Sequence, residues 1–496
     1  MKCEYDVIIV GSGAGGGTVA DRLSPLAKSG ARIAILEAGP HYTHEYFTQR
    51  EIEMMDLFWF GGSWPTEDGS VIFIAGKAVG GSTLMYAGAA FRLPDDVCQE
   101  WSVPGIVSED LTPRFDRLEE EINVIDPDKD MVNDNNRLFK EACNKLGWPV
   151  KKMRFNLRNC EQEGFCNLGC SKGAKQGTLE VQLPKAIAAG IELVPNCKVE
   201  RVSEGTIFAE VKPAPPGSHP GPLPAGKMEF KTKRIVLAAG SPGTPAILLR
   251  SGFQKKFPNL GRYITLHPTL AVYGIYPEPI KNYRGFPCIY YTPEFSKSHD
   301  YFMETQFYYP FVSTKHLGLW GRDLKDTMKR YCQLMTTLIL NHDSALPDNR
   351  IKVNRKGEIK LHYKINSKTI ESLCHGQAQA ARVFFAAGCE KVIMPCADRM
   401  IFRSDEIPDG KLEEFISPKN FILNKVPLSS AHPQGGCRMG TDQKDSVTNS
   451  WGQVHEYPWL YVADASLFPK SAHVNPYLTI MALADRVGEN ILERET

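Results

Sequence analysis

Two segments of the chain set reactive residue types at spacings that do chemistry. The first is Tyr5-Asp-Val-Ile-Ile-Val-Gly11-Ser-Gly13-Ala-Gly-Gly16, with Glu37 about twenty residues later. Residues 7–10 read as a buried β-strand and 18–23 as helix, with the glycines in the turn between them. Gly11 permits the sharp turn, Gly13 lets backbone approach a pyrophosphate, and Gly16 lets the helix pack on the strand. The helix N-terminus brings unpaired N–H groups and the positive end of a dipole to that anion. Glu37 ends a second short strand, 32–36, where a carboxylate binds an adenosine ribose and repels a 2′-phosphate. This turn alone fits FAD and NAD equally. The second segment is Cys160-Glu-Gln-Glu-Gly-Phe-Cys166-Asn-Leu-Gly-Cys170. Three thiolates on one short glycine-bearing loop are a ligand set for a three-iron cluster, or for a four-iron cluster with one ligand from elsewhere. Zinc ordinarily takes four ligands in tighter pairs. Packed thiols or a disulfide are the alternative reading.

The elements that must position these residues are dispersed. Arg234-Ile-Val-Leu-Ala-Ala-Gly240 and Trp459-Leu-Tyr-Val-Ala-Asp464 read as further buried parallel strands, hundreds of residues beyond the first. An α/β, Rossmann-like nucleotide domain is therefore assembled from separated segments, 1–105, 190–268 and 421–496. Residues 106–189 form a linker region bearing the cysteine loop. Residues 269–420 form an α+β substrate domain with an antiparallel sheet, including strands 350–353 and 358–363 and a long helix over 368–387. The proline-rich stretch 213–224 lies between strand patterns 207–211 and 228–231 and reads as a hairpin connector. The aromatic run 302–311 offers an apolar pocket wall.

At 496 residues the chain is long enough for two domains with a sizeable core. A net charge of +1 without acidic or basic blocks leaves no footprint for nucleic acid. No apolar run reaches bilayer-spanning length. The thirteen cysteines, mostly scattered, suit a reducing compartment. The first strand begins almost at once and leaves no room for a signal peptide. A cytoplasmic location is the expectation, unless a partner subunit carries an export signal.

Further motifs agree with one another. Gly76-Lys-Ala-Val-Gly80-Gly81-Ser82-Thr83 is a second glycine loop, and Gly240-Ser-Pro242-Gly-Thr-Pro245 a third. His432-Pro-Gln-Gly-Gly436 and Asn475-Pro476-Tyr-Leu-Thr-Ile follow near the end. In this order they resemble the glucose–methanol–choline (GMC) flavin oxidoreductases, in the branch of cholesterol oxidase, pyranose oxidase and long-chain alcohol oxidase-like proteins. The cysteine spacing is similar to that of FAD-dependent glucose dehydrogenases, which carry a cluster. It is also similar to loops in members with none known. One departure is Tyr86, where many members have Asn.

The resemblance implies FAD in an elongated groove. Gly11, Gly13 and Gly16 would meet its pyrophosphate and Glu37 its ribose. Gly80, Gly81 and Ser82 would lie along the flavin side, and the Val199 backbone would read the adenine. Asp464 and Ala465 would close over the pyrophosphate and ribityl, and Pro476 would flank the ring. His432 takes the family's base position and Asn475 its partner, whose amide holds substrate oxygen without competing for the proton. His473 is a competing base, His267 is read as structural, and Cys437 as a packed thiol. The expected activity is alcohol oxidation by hydride transfer to flavin N5. Electrons would leave through a cluster at Cys160, Cys166 and Cys170 to a cytochrome or other carrier. The alternatives are an oxidase passing them to dioxygen, an NAD enzyme, and an electron-transfer subunit without its own substrate. The aromatic run favours a lipophilic alcohol or sterol.

Overall fold

A computed structural model describes residues 3–397, 399–407, 411–422 and 425–495. Strand Cys3–Val10 lies inside a parallel sheet. Ile33–Leu36 flanks it with Leu36 opposite Val10, and Gly226–Leu237 flanks it on the other side with Leu237 opposite Val10. Glu192–Val194 and Leu460–Val462 extend the sheet beyond these two. Strands covered on both faces need continuous apolar runs, not alternation. Val7, Ile8, Ile9 and Val10 are accordingly all buried, as are Ile235, Val236 and Leu237.

The long strand Gly226–Leu237 serves two pairings. Its first half runs antiparallel to Thr206–Val211, with Val211 opposite Gly226, and that strand pairs in turn with Cys197–Ser203. Residues 213–224 are thus the expected hairpin connector. They are not wholly free in solvent, because Ser218–His219 pairs with His41–Tyr42.

Helix Ala14–Arg22 packs against the C-terminal helix Tyr477–Glu495. At their closest approach a Cβ on Gly488 would lie 2.8 Å from Arg22 Cβ. Asp485 is buried in this interface. It receives Arg114 at 2.7 Å, and also pairs with Arg22 and Arg117. Burial raises the Asp485 pKa, but these guanidiniums outweigh it and hold the carboxyl below its ordinary range.

The second sheet is mainly antiparallel. Thr269–Ile275 pairs with Leu334–Asn341, which pairs with Tyr301–Thr305, placing Glu304 opposite Leu338. Tyr290–Thr292 and Lys151–Lys152 follow. Val71–Phe73 and Leu428–Ser430 join on the other side, so this sheet draws strands from both ends of the chain. Helix Ser367–Ala387 covers it, one residue longer than the spacing predicts. Asn366 caps its start by accepting the Thr369 N–H at 2.8 Å. The helix lies so close that a Cβ on Gly376 would come within 2.7 Å of Ile339. Among the described residues, no helix is long and apolar enough to cross a membrane.

Candidate active site

One cavity of about 760 Å³ runs between the two sheets, from the glycine turn to the strand bearing Glu304. Gly11, Gly13, Glu37, Gly81, Ser82, Val199, Asp464, Ala465, His432, Asn475 and Pro476 line it. Gly16 and Gly80 stand just behind its wall. Gly16 is demanded by packing, since a Cβ there would sit 1.9 Å from the Gly11 carbonyl oxygen. Gly13 is different, because its Cβ would meet only Gly81 Cα, at an ordinary 3.7 Å. The protein does not itself need Gly13; the missing side chain keeps room for a ligand. Helix Ala14–Arg22 opens at this point with no side-chain cap and no acidic residue in its first turn. Its free N–H groups suit an anion.

Ser12, not singled out by sequence, ties the cradle together. Its N–H and hydroxyl both donate to Glu37 Oε2, at 2.9 and 2.7 Å, and its Oγ accepts the Gly80 N–H at 3.0 Å. Glu37 Oε1 accepts the Gly39 N–H at 2.8 Å, and burial pushes the carboxyl pKa up. Asp464 joins the third glycine segment, accepting from Gly240 N at 2.9 Å and from Thr244 Oγ1 at 2.6 Å. Val199 lies at a β-bulge, where Glu200 has no partner across the ladder. At the departure from the family pattern, Tyr86 accepts a hydrogen bond from Asn156 Nδ2 at 2.6 Å.

At the far end His432 and Asn475 share the wall with Glu304. The Asn475 side chain hydrogen bonds to the Glu304 carboxyl. Glu304 Oε2 and Asn475 Oδ1 are left buried without partners. Among the described residues no cation offsets this burial, and the Glu304 pKa is pushed up to about 7. Burial pulls His432 the other way, down to about 4, so its imidazole is neutral and weakly basic. Sequence reasoning missed Glu304 by reading 302–311 as an apolar wall; the lone carboxylate in that run was the available signal. Only part of the run lines the cavity, chiefly Tyr308 and Tyr309. Much of the apolar wall comes instead from Met55, Phe58, Trp59, Phe60 and Trp64.

His267, expected to be structural, stands directly behind His432 with Nδ1 to Nδ1 at 3.2 Å. His473, the competing base, does not line the cavity and stacks on His342 with ring centres 4.7 Å apart. Cys437 is fully buried, as expected of a packed thiol.

Two models of GMC oxidoreductases match this chain, over residues 54–269 and 345–484. The chain belongs to the GMC oxidoreductase family. A long-chain-alcohol oxidase of Arabidopsis thaliana is 29% identical, over 99% of this chain and 68% of its own length. A cholesterol oxidase of Mycobacterium tuberculosis is 23% identical, over 98% of this chain and 91% of its own. The solved pyridoxine 4-oxidase of Mesorbium loti superposes with a TM-score of 0.73 at 17% identity, covering 99% of both chains. A formate oxidase of Aspergillus oryzae, whose structure concerns FAD modification, gives 0.71 at 14% identity, covering 99% of this chain and 98% of that one. At such identities the two structures speak for the fold alone.

Membership of the GMC family calls for FAD, and the residues present fit it. The vacant volume beside Gly13, the uncapped helix start and Glu37 at the strand end form one continuous cradle. An iron–sulfur cluster is not supported in the same way. Among the described residues, no three His, Cys, Asp or Glu side chains are grouped so as to hold a metal. The thiols of Cys160, Cys166 and Cys170, expected as a ligand set, are not assembled as one here. The loop is organised by a cation instead. Buried Lys175 donates to the carbonyls of Leu84 at 2.7 Å, Tyr86 at 2.8 Å and Cys166 at 2.5 Å, pinning it to the segment that follows the second glycine loop. Burial lowers the Lys175 pKa to about 8 and raises that of the Cys166 thiol to about 12. Charge and tight glycine turns explain this loop as well as thiolate ligation does, and sequence spacing could not separate the two.

Proposed function

We propose that this chain oxidises a lipophilic primary or secondary alcohol, with FAD as the immediate electron acceptor and dioxygen as the final one. The observation that carries the reading is a buried carboxyl, an amide and an imidazole at one end of a cavity whose wall is otherwise largely apolar. Glu304, Asn475 and His432 are polar groups of the lining, as is Gln306; Trp59, Phe60, Trp64 and Tyr308 are among its large aromatic side chains. An apolar pocket with a few convergent polar groups orients a ligand that is mostly hydrocarbon. The relatives named as long-chain-alcohol oxidase and cholesterol oxidase act on such molecules and support this class.

Bound FAD would supply the two-electron acceptor for the carbinol carbon. The protein residues manage the proton and the oxygen. Glu304, with a pKa near 7, is ionised in a large fraction of molecules at neutral pH. As carboxylate it takes the hydroxyl proton, and its Oε2 has no hydrogen-bond partner of its own. Asn475 holds the carboxyl in place. His432 flanks the substrate oxygen. This moves the base from the expected His432 to Glu304, because burial weakens the imidazole as a base and strengthens the carboxylate. The aromatic wall excludes water from the reacting pair.

Dioxygen is favoured over a carrier protein by the oxidase names of the relatives. The balanced reaction is alcohol plus dioxygen to aldehyde or ketone plus hydrogen peroxide. Long-chain alcohols, sterols and sugars mixed with the purified holoprotein in air test the reading. Peroxide formed one-for-one with carbonyl product from an apolar alcohol supports it. Flavin reduced by alcohol but reoxidised only by an added dye or cytochrome overturns the oxygen half.

A further inference from the structure

The hydrogen bonds behind His432 fix where one proton lies. Gln434 Oε1 accepts the Ala472 backbone N–H at 2.9 Å. A backbone N–H only donates, so the orientation of the amide is set. Its Nε2 then faces the His432 carbonyl at 3.2 Å and His267 Nε2 at 3.1 Å. An amide NH₂ has two hydrogens and no acceptor capacity, so His267 Nε2 is the accepting nitrogen. Ser471 Oγ, 2.6 Å from the same atom, has a rotatable hydroxyl that donates to it as well. His267 is wholly buried, and Asp343 accepts its backbone N–H at 2.9 Å, so that contact does not engage the ring. A neutral His267 therefore carries its proton on Nδ1, facing His432 Nδ1 at 3.2 Å. Two nitrogens that face each other in one hydrogen bond share one proton. His432 Nδ1 must accept it, which leaves the proton of His432 on Nε2. His432 lines the cavity and His267 does not, so Nε2 is the ring nitrogen left for the cavity.

We infer that Gln434 and His267 are positioning residues that lock His432 in its Nε2–H tautomer, so that it donates a hydrogen bond to the substrate oxygen and accepts no proton. The inference deepens the alcohol-oxidation reading and rests on it for its consequence. As the substrate O–H bond breaks, the proton passes to Glu304, and bound FAD would supply the acceptor for the carbinol hydride. Negative charge grows on the oxygen during this change. A fixed Nε2–H donor stabilises that charge, while a bare Nε2 would repel it. The lock does so without titrating, because the imidazole stays neutral throughout.

Neutron diffraction from deuterium-exchanged holoenzyme without substrate tests the tautomer directly. Deuterium on His432 Nε2 and His267 Nδ1 is the expected result. Deuterium on His432 Nδ1 with bare Nε2 overturns the inference, whatever the enzyme oxidises. A variant pair reads the consequence. His267→Leu removes the donor to His432 Nδ1, and flavin reduction by alcohol is expected to fall about 100-fold. His267→Asn places an amide donor near the former Nδ1 position and is expected to recover most of that loss. Both variants are scored only with FAD bound and melting temperature retained. Equal loss in the two indicates a packing role and overturns the positioning role. If no alcohol reduces the flavin, the proposed function fails, and the neutron result still decides the tautomer.

Discussion

The Asn475 side chain hydrogen bonds to the carboxyl of Glu304, a residue of a buried strand with no cation among the described residues to offset its charge. The pair sets a pH dependence. The carboxylate is the form that accepts a proton, so the rate of flavin reduction should rise with pH through an apparent pKa near 7 and then level off. Glu304→Gln should lower the rate about 1000-fold and flatten the profile, with FAD still bound. Stopped-flow absorbance across pH 5–9 checks both outcomes.

The same burial affects stability, with the opposite sign to a salt-bridged acid. The folded pKa lies above the unfolded one, so the folded state holds the extra proton between them. Its stability falls as pH rises from about 4.5 to about 7. Glu304→Gln removes that penalty. Its melting temperature relative to the unmodified protein should be higher at pH 8 than at pH 5, by the equivalent of up to about 3 kcal/mol. Thermal unfolding of both proteins at the two pH values measures the difference.

Gly13 and Gly16 are separable. Gly16→Ala places Cβ 1.9 Å from the Gly11 carbonyl oxygen, a clash with backbone that cannot give way. A loss of about 3 kcal/mol or more is expected. Gly13→Ala meets nothing closer than 3.7 Å and should leave the apoprotein as stable as before, while the ligand cradle loses its open volume. The check is calorimetry without FAD, set beside FAD retained on gel filtration.

Asp485 presents the complementary case of a buried carboxylate among three guanidiniums. Asp485→Asn removes the charge and leaves Arg22, Arg114 and Arg117 facing one another. It should destabilise the protein by about 3–5 kcal/mol near neutral pH. Because the folded pKa lies below the ordinary carboxylate value, this contribution is present above that value and fades as pH falls through the folded one. Urea unfolding of both proteins at neutral and acid pH shows it.

The glycine cradle was legible because local rules write it. A continuous apolar strand, a glycine turn and a terminal acid occur in order along one stretch, and the structure folds that stretch as the order implies. Strands 234–240 and 459–464 were legible for the same reason, since strands covered on both faces read as unbroken apolar runs. Ser12 and Glu304 were not, because their roles depend on partners far along the chain. Glu304 meets Asn475 across 171 residues, and only sheet register turns it toward the cavity. His267 looked structural as a lone His before Pro; its bond to His432 joins loop residues 165 positions apart. The cysteine loop is the reverse case. Its spacing permitted a cluster, but Lys175 and three carbonyls account for its shape.

Anaerobic mixing of the FAD-loaded protein with a long-chain alcohol tests the central claim most directly. The account predicts rapid bleaching of the flavin absorbance in the unmodified protein, about 1000-fold slower bleaching in Glu304→Gln, and stoichiometric hydrogen peroxide when air is admitted. Bleaching at the same rate in both proteins, or no bleaching by any alcohol, would contradict it.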